Sequence, residues 1–356
     1  MDLFSSCLFI RNIIEIILKT MSAHGLYWSQ CKTIFFKRSS KMTKNRRIFA
    51  HILSGVMINL CFLLYTHALS FSQPIIIDHT CTDLTKIPEY WINQAKAMFR
   101  ISYGHTSHGS QIVTGMNLLK GQAGSLYWFD HDGTDNGLSF HDRNPSGDLG
   151  NPDRTTWAVK TRELLDAPGN DRNMIMWSWC GQVSSASEED INTYLGLMNQ
   201  LEQEYPEVTF VYMTGHLDGT SEAGNLHLRN KQIRNYCIGN GKILFDFADI
   251  ESYDPSGSYF LNRGANDACG YDGGNWADEW CSAYPGECAQ CSCAHSRCLN
   301  CQLKGKAFWW MMARIAGWDP DGGVTIDIKA NGQDGSFDHI PGYPGLYNGQ
   351  PSSRKL

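Results

Sequence analysis

Basic charge is scarce in this 356-residue chain: 30 Lys and Arg stand against 36 Asp and Glu, for a formal net charge of -6 and a sequence pI near 6.0. No Lys/Arg-rich run occurs in the body of the chain, so the electrostatic footprint of a nucleic-acid binder is missing and nucleic acid is excluded as a partner. An uninterrupted apolar run is lacking too. The stretch Ile48 to Tyr65 is broken by His51, Ser54, Gly55 and Asn59, and it is short for a bilayer span. What is present, 42% hydrophobic and 19% charged residues, suffices for the core of one large domain.

The N-terminal region has the pattern of an export signal. Lys44, Asn45, Arg46 and Arg47 give a positive start, the Ile48 to Tyr65 stretch an apolar centre, and Thr66-His67-Ala68 a small-residue cleavage site. Met42 is then the expected start, residues 1–41 lie upstream of the protein proper, and residues 42–68 form a signal peptide; a retained anchor helix is the alternative. No membrane contact is expected after cleavage, and the location is secreted or periplasmic. Cysteine usage agrees. Setting aside Cys7, Cys31 and Cys61 leaves ten of 13, an even number suited to pairing in an oxidising compartment. Six are clustered: Cys281, Cys288, Cys291, Cys293, Cys298 and Cys301. Disulfides are expected among them, the alternative being a zinc site on Cys288-x-x-Cys291 and Cys298-x-x-Cys301 with His295 between.

The domain proper, residues 69–318, reads as strands alternating with helices. Pro74 to Asp78 is a short apolar strand, with Cys81 placed to tie it down, and residues from Ile87 to Met98 have helical spacing. Phe99, Ile101 and Tyr103 alternate as a strand. Gly121 to Pro168 reads as a long polar loop around Trp128-Phe129-Asp130-His131-Asp132. Asn173 to Gly181 is a continuous apolar strand, as expected where both faces are covered. Helix 188–205, with a capping-box start at Ser187 and Asp190, precedes strand 208–213, helix 225–236 and strand 242–247. Tyr253 to Cys301 is a cysteine-stapled excursion before a closing helix over 304–318. Residues 319–356 change character and read as a tail or the start of an appended β-domain. This order implies a parallel sheet with helices on both faces, and therefore a site at the carboxyl ends of the strands.

The chemistry concentrates in Gly104-His105-Thr106-Ser107-His108-Gly109-Ser110, between a strand end and a helix whose N-terminus favours anions. The structural alternative is that Ser107 or Ser110 only caps the helix. Further strand ends contribute Cys180-Gly181-Gln182, Gly215-His216 with Asp218, and Asp246 to Asp249.

Together these ends resemble the SGNH/GDSL hydrolases over roughly Phe99 to Trp318. The resemblance implies a three-layer α/β/α sandwich with a mostly parallel, flavodoxin-like sheet, here carrying a cysteine-rich loop insertion, and the activity of a serine esterase or deacetylase. The family's Gly-Asp-Ser turn corresponds to Gly104-His105-Thr106-Ser107, which lacks the Asp and displaces the hydroxyl by one residue. The resemblance therefore points to Ser107 as nucleophile, to Gln182 as the amide at the oxyanion, and to His295 as base, with Ser292 where the family has its Asp. His105, His108, His216, Asp218 and Trp128 are expected to line the pocket. The expected substrate is a small-molecule or carbohydrate ester, the sugar being suggested by Trp128, Trp276 and Trp280. No cofactor and no metal are expected. Two alternatives stand beside this reading: a non-catalytic binding or adhesion module on the same fold, favoured by the missing Asp residues, and a metal-dependent enzyme using His105, His108, His131 and Asp130.

Overall fold

The computed structural model describes residues 73–321. The expected signal segment, residues 1–41, Cys7, Cys31 and Cys61, and nearly all of the tail lie outside them. Nine strands are labelled β1 (Ile75–Ile77), β2 (Arg100–Gly104), β3 (Phe129–Asp130), β4 (Leu138–Asp142), β5 (Met174–Trp177), β6 (Thr209–Met213), β7 (Ile243–Phe245), β8 (Gly270–Tyr271) and β9 (Gly274–Asn275). Eight helices are α1 (Glu89–Met98), α2 (Ser110–Leu119), α3 (Thr156–Leu165), α4 (Glu188–Glu204), α5 (Asn225–Gly239), α6 (Phe247–Ile250), α7 (Trp276–Ala283) and α8 (Cys298–Ile315).

The first seven strands form one sheet in the order β1-β7-β6-β5-β2-β4-β3, with every neighbouring pair parallel. Counted from β2, the order β4-β2-β5-β6-β7 is the 2-1-3-4-5 of the flavodoxin-like doubly wound fold, in which ligands bind where the winding reverses. That reversal lies between β2 and β5. Gly104 pairs with Trp177 there, so the residues leaving both strands emerge side by side. The expectation of an α/β sandwich with a parallel sheet is met.

The sheet is buried because its strands are apolar on both faces: all four residues of β5 are buried. Helix α4 begins with the expected capping box, Ser187 Oγ accepting from the Asp190 N–H while the Asp190 carboxylate accepts from the Ser187 N–H, and it buries Ile191, Leu195, Met198 and Leu201. Helix α8 buries Phe308, Trp309, Met311, Met312 and Ala313 completely. It crosses α2 at two glycines. A Cβ on Gly115 would lie 1.8 Å from the Cys301 carbonyl oxygen, and one on Gly305 would lie 2.1 Å from the Gly115 carbonyl carbon, so only glycine allows this approach.

Three expectations are corrected. The polar loop expected over Gly121 to Pro168 contains β3, β4 and α3; turn residues dominate its composition, while Leu138 and Phe140 alternate with Ser139 and His141 as a strand requires. The closing helix starts at Cys298 rather than Lys304. Full pairing of ten cysteines does not occur. The six clustered ones form Cys281–Cys288, Cys291–Cys298 and Cys293–Cys301, consistent with an oxidising compartment and leaving no thiolate for the alternative zinc site. Cys81, Cys180, Cys237 and Cys269 stay reduced. No helix among the described residues is long and apolar enough to cross a membrane.

Candidate active site

The turn after β2 is built from its own side chains. His105, 1% exposed, sets Nε2 at 2.6 Å from Asp142 Oδ1 and Nδ1 at 2.7 Å from the Thr106 carbonyl oxygen. Thr106 Oγ1 donates to Asp148 Oδ2 at 2.9 Å. Helix α2 then starts with Gly109 at its N-cap and no side-chain cap, and Ser110 Oγ donates to the Ser107 carbonyl oxygen at 2.6 Å. Neither serine caps the helix. Among the described residues, the N–H groups of Ser107, His108 and Gly109, in the turn that leads into α2, have no acceptor.

His108 is the centre of the site. Its Nδ1 lies 3.2 Å from Cys180 Sγ, just past the end of β5, and its Nε2 lies 2.9 Å from Asp267 Oδ2. A thiol and a carboxylate are thus held on opposite edges of one imidazole. Ser107 Oγ is 3.8 Å from the same sulfur. The two faces of His108 are covered by other rings, His216 at 3.7 Å and 2° and His295 at 4.3 Å and 12° between planes. Burial lowers the pKa of His108; the hydrogen bond to Asp267 works against this, while the neighbouring His216 and His295 reinforce it. The ring is therefore neutral near pH 7 and able to accept a proton. Burial acts to raise the pKa of Asp267, but the His108 hydrogen bond and the charges of His216 and His108 outweigh it and leave the carboxyl below its ordinary value.

The remaining free thiols contrast with Cys180. Burial pushes Cys81 up to about 12 and Cys269 up to about 11, and drives Cys237 upward as well. Such thiols are inert, whereas Cys180 is half-buried and faces an imidazole.

The histidines flanking His108 are positioned from below by a fully buried hub. Lys304 Nζ bonds Glu251 Oε1 at 2.6 Å and also Gln111 Oε1. Glu251 Oε2 accepts from the Leu217 N–H at 2.7 Å, next to His216, and Gln111 Nε2 donates to the Ala294 carbonyl oxygen at 2.7 Å, next to His295. Lys304, Glu251 and Gln111 are each 0% exposed. Breaking such a pair strands a buried charge, which costs about 3–5 kcal/mol.

Of the residues expected from the sequence, Ser107, His108, His216 and His295 do come together. No hydrogen bond joins Ser107 to His295 among the described residues; the ring beside the nucleophilic groups is His108. Gln182 holds Cys180 in place, its Oε1 accepting from the Cys180 N–H at 2.9 Å, and commits one of its two Nε2 donors to Asp148 Oδ2 at 3.2 Å. His105 is a structural pair with Asp142. Asp218 is bound within its own turn by the Thr220 N–H and hydroxyl. Trp128 donates to the Thr134 carbonyl oxygen and carries the Lys120 ammonium 4.4 Å from its ring centroid, while Trp276 is 1% exposed and offers no face for a sugar. The metal-binding alternative is not assembled as expected: His105 is spent on Asp142, and Asp130 accepts from the N–H groups of Asp132, Gly133 and Thr134. The sequence places Cys180 at a strand end without giving it a role, and it does not mark Asp267. Position alone could have found Cys180, since it follows the strand beside β2; nothing local marks Asp267. Comparison with models of known protein families, with curated proteins and with solved structures finds no match.

Proposed function

We propose that this protein is an exported acyl hydrolase that cleaves an ester through a covalent intermediate on Cys180. The observation that carries the reading is His108 bridging the Cys180 thiol and the Asp267 carboxylate through its two ring nitrogens. This is the arrangement a nucleophile, a base and a group orienting that base require.

In the reaction, Asp267 accepts a hydrogen bond from Nε2–H and so fixes the tautomer with its lone pair on Nδ1. Nδ1 takes the thiol proton, and the sulfur attacks the ester carbonyl carbon. Collapse of the tetrahedral intermediate breaks the carbon–oxygen bond, the alcohol leaves with the proton from His108, and an acyl thioester remains on Cys180. Water, deprotonated by His108, attacks the thioester; the carboxylic acid leaves and the thiol is restored. The free N–H groups of Ser107, His108 and Gly109 at the start of α2, with the Ser107 hydroxyl, supply the donors for the oxyanion. Export rests on the N-terminal pattern and on three disulfides beside four reduced thiols.

The test is a mass-spectrometric map of the folded protein after brief exposure to p-nitrophenyl acetate, with parallel samples treated with iodoacetamide and a fluorophosphonate. An acetyl group on Cys180, blocked by prior alkylation of that residue, is expected. Acylation or fluorophosphonate labelling of Ser107 would return the nucleophile to the hydroxyl. No adduct on either residue would favour a binding module.

A further inference from the structure

His108 and Asp267, which the acyl chemistry uses, converge with a third donor that it does not use, His295. One ring nitrogen of His108, a carboxylate oxygen of Asp267 and one ring nitrogen of His295 lie within 4.8 Å of one another. Neither ring nitrogen of His295 has a hydrogen-bond partner among the described residues, although its backbone is held at φ 60°, a conformation uncommon for a side chain of this size, on a loop bracketed by Cys291–Cys298 and Cys293–Cys301. On the far face of His108, Nε2 of His216 is buried and also unpartnered. Nothing among the described residues satisfies that His216 nitrogen, but a ligand on the unpartnered His295 ring gives its strained backbone a reason.

We propose that a divalent transition-metal ion, zinc by its donors, binds to His108 Nε2, Asp267 and His295, and that it switches the acyl chemistry off. Two imidazoles and one carboxylate are a borderline donor set that suits zinc, with a fourth position left for water. Bonds of about 2 Å to each atom require the donors to draw in from their present spacing, and exposed His295 is the one free to turn. The inhibitory effect rests on the triad reading; the binding does not. When metal takes Nε2, the proton that Nε2 shares with Asp267 moves to Nδ1, so His108 stays neutral with its single proton on the other nitrogen. Nδ1 then presents an N–H to Cys180 Sγ where it had presented a lone pair. The base is lost without any movement of the thiol.

The experiment uses the chelator-washed chain carrying His79→Gln, His131→Ala and His141→Ala, because those residues belong to two other groups, Asp78-His79-Asp249 and His131-Asp132-His141. Calorimetric titration with zinc chloride is expected to show one ion per chain. His295→Ala should weaken that binding at least about tenfold, with His295→Gln as a second variant and circular dichroism to verify folding. Cys180→Ala should bind zinc within about twofold of the parent. In the ester assay, zinc should inhibit and chelator should restore turnover, and His295→Ala should raise the inhibitory zinc concentration by the same factor as the binding constant. Unchanged affinity in both His295 variants overturns the proposal, as does turnover that zinc stimulates. If metal-free protein shows no acyl transfer while zinc binding still depends on His295, the triad reading fails and the metal site stands.

Discussion

Two histidines three residues apart on the same turn make the same bond to a carboxylate and face opposite fates. His105 Nε2 lies 2.6 Å from Asp142, and His108 Nε2 lies 2.9 Å from Asp267. The difference is at the other nitrogen. In His105 it is satisfied by the Thr106 carbonyl oxygen, so the ring is closed on both edges and serves as a strut. In His108 it faces the Cys180 sulfur, a group with a proton to give. A histidine–carboxylate pair is therefore not in itself a sign of catalysis; the partner of the second nitrogen decides.

The strongest way to break this comparison is to remove what His108 faces. Cys180→Ala is expected to lower ester turnover by on the order of 10⁴ or more, as loss of a nucleophile does elsewhere, with an unchanged thermal midpoint. Turnover within tenfold of the parent would leave His108 no different in kind from His105. Next in size is Asp267→Asn, expected to cost about 10²–10⁴ in kcat with little change in KM, because the wrong tautomer turns a donor toward the thiol. If Asp142→Asn reduces kcat as much, the distinction between the two pairs collapses.

The converse variant acts on stability. His105→Ala leaves the Asp142 carboxylate and the Thr106 carbonyl oxygen without their partner and should cost about 1–3 kcal/mol of unfolding free energy in urea. His108→Ala should cost less than His105→Ala and abolish turnover, and the reverse ranking in urea would undo the strut reading. Loop staples come after these. Reduction of the three short-loop bridges is expected to loosen the His295 loop and slow hydrolysis while the sheet's circular dichroism persists; simultaneous loss of both signals would show that the bridges hold the whole domain.

The smallest effect comes from a third pair, His79 with Asp249 at 2.5 Å, half-buried beyond the end of β1. Burial disfavours its charged form, but the Asp249 hydrogen bond and charge, with Asp78 and Asp246, prevail and raise the His79 pKa. A raised folded-state pKa gives stability that is complete below the ordinary imidazole value and is lost as pH rises through the folded value. The difference in urea midpoint between the parent and His79→Gln should accordingly shrink from pH 6 to pH 8. A difference that stays constant would show that this pair contributes through packing alone.

Much of this could be read from the sequence because the relevant signals are local. The apolar run of β5, the capping box of α4 and the order of strands and helices place the sheet, and the sheet places the site. β3 and β4 were hidden by the Gly- and Asp-rich turns around them. In the site, the turn residues Ser107 and His108 were visible since strand and helix flank them directly. Cys180 counted among cysteines available for pairing, and only its position beside His108, 72 residues away in sequence, separates it from buried thiols such as Cys237. Asp267 stands 159 residues from His108 in a segment with no strand-end signature, so only the fold could supply it.

The contact of Gly115 with Gly305 makes levers of the two helices that carry the site. His108 lies two residues before α2 and His295 three before α8, and the crossing is five and seven residues into those helices, or roughly 8 Å and 10 Å along their axes at 1.5 Å per residue. With no side chain at the fulcrum there is no padding to absorb a displacement. A rotation of about 10° at that point would swing the start of α8 by about 2 Å, far beyond the few tenths of an ångström that a hydrogen bond tolerates. A methyl group placed there, remote from any reacting atom, would act on the histidine stack as a wedge at the pivot.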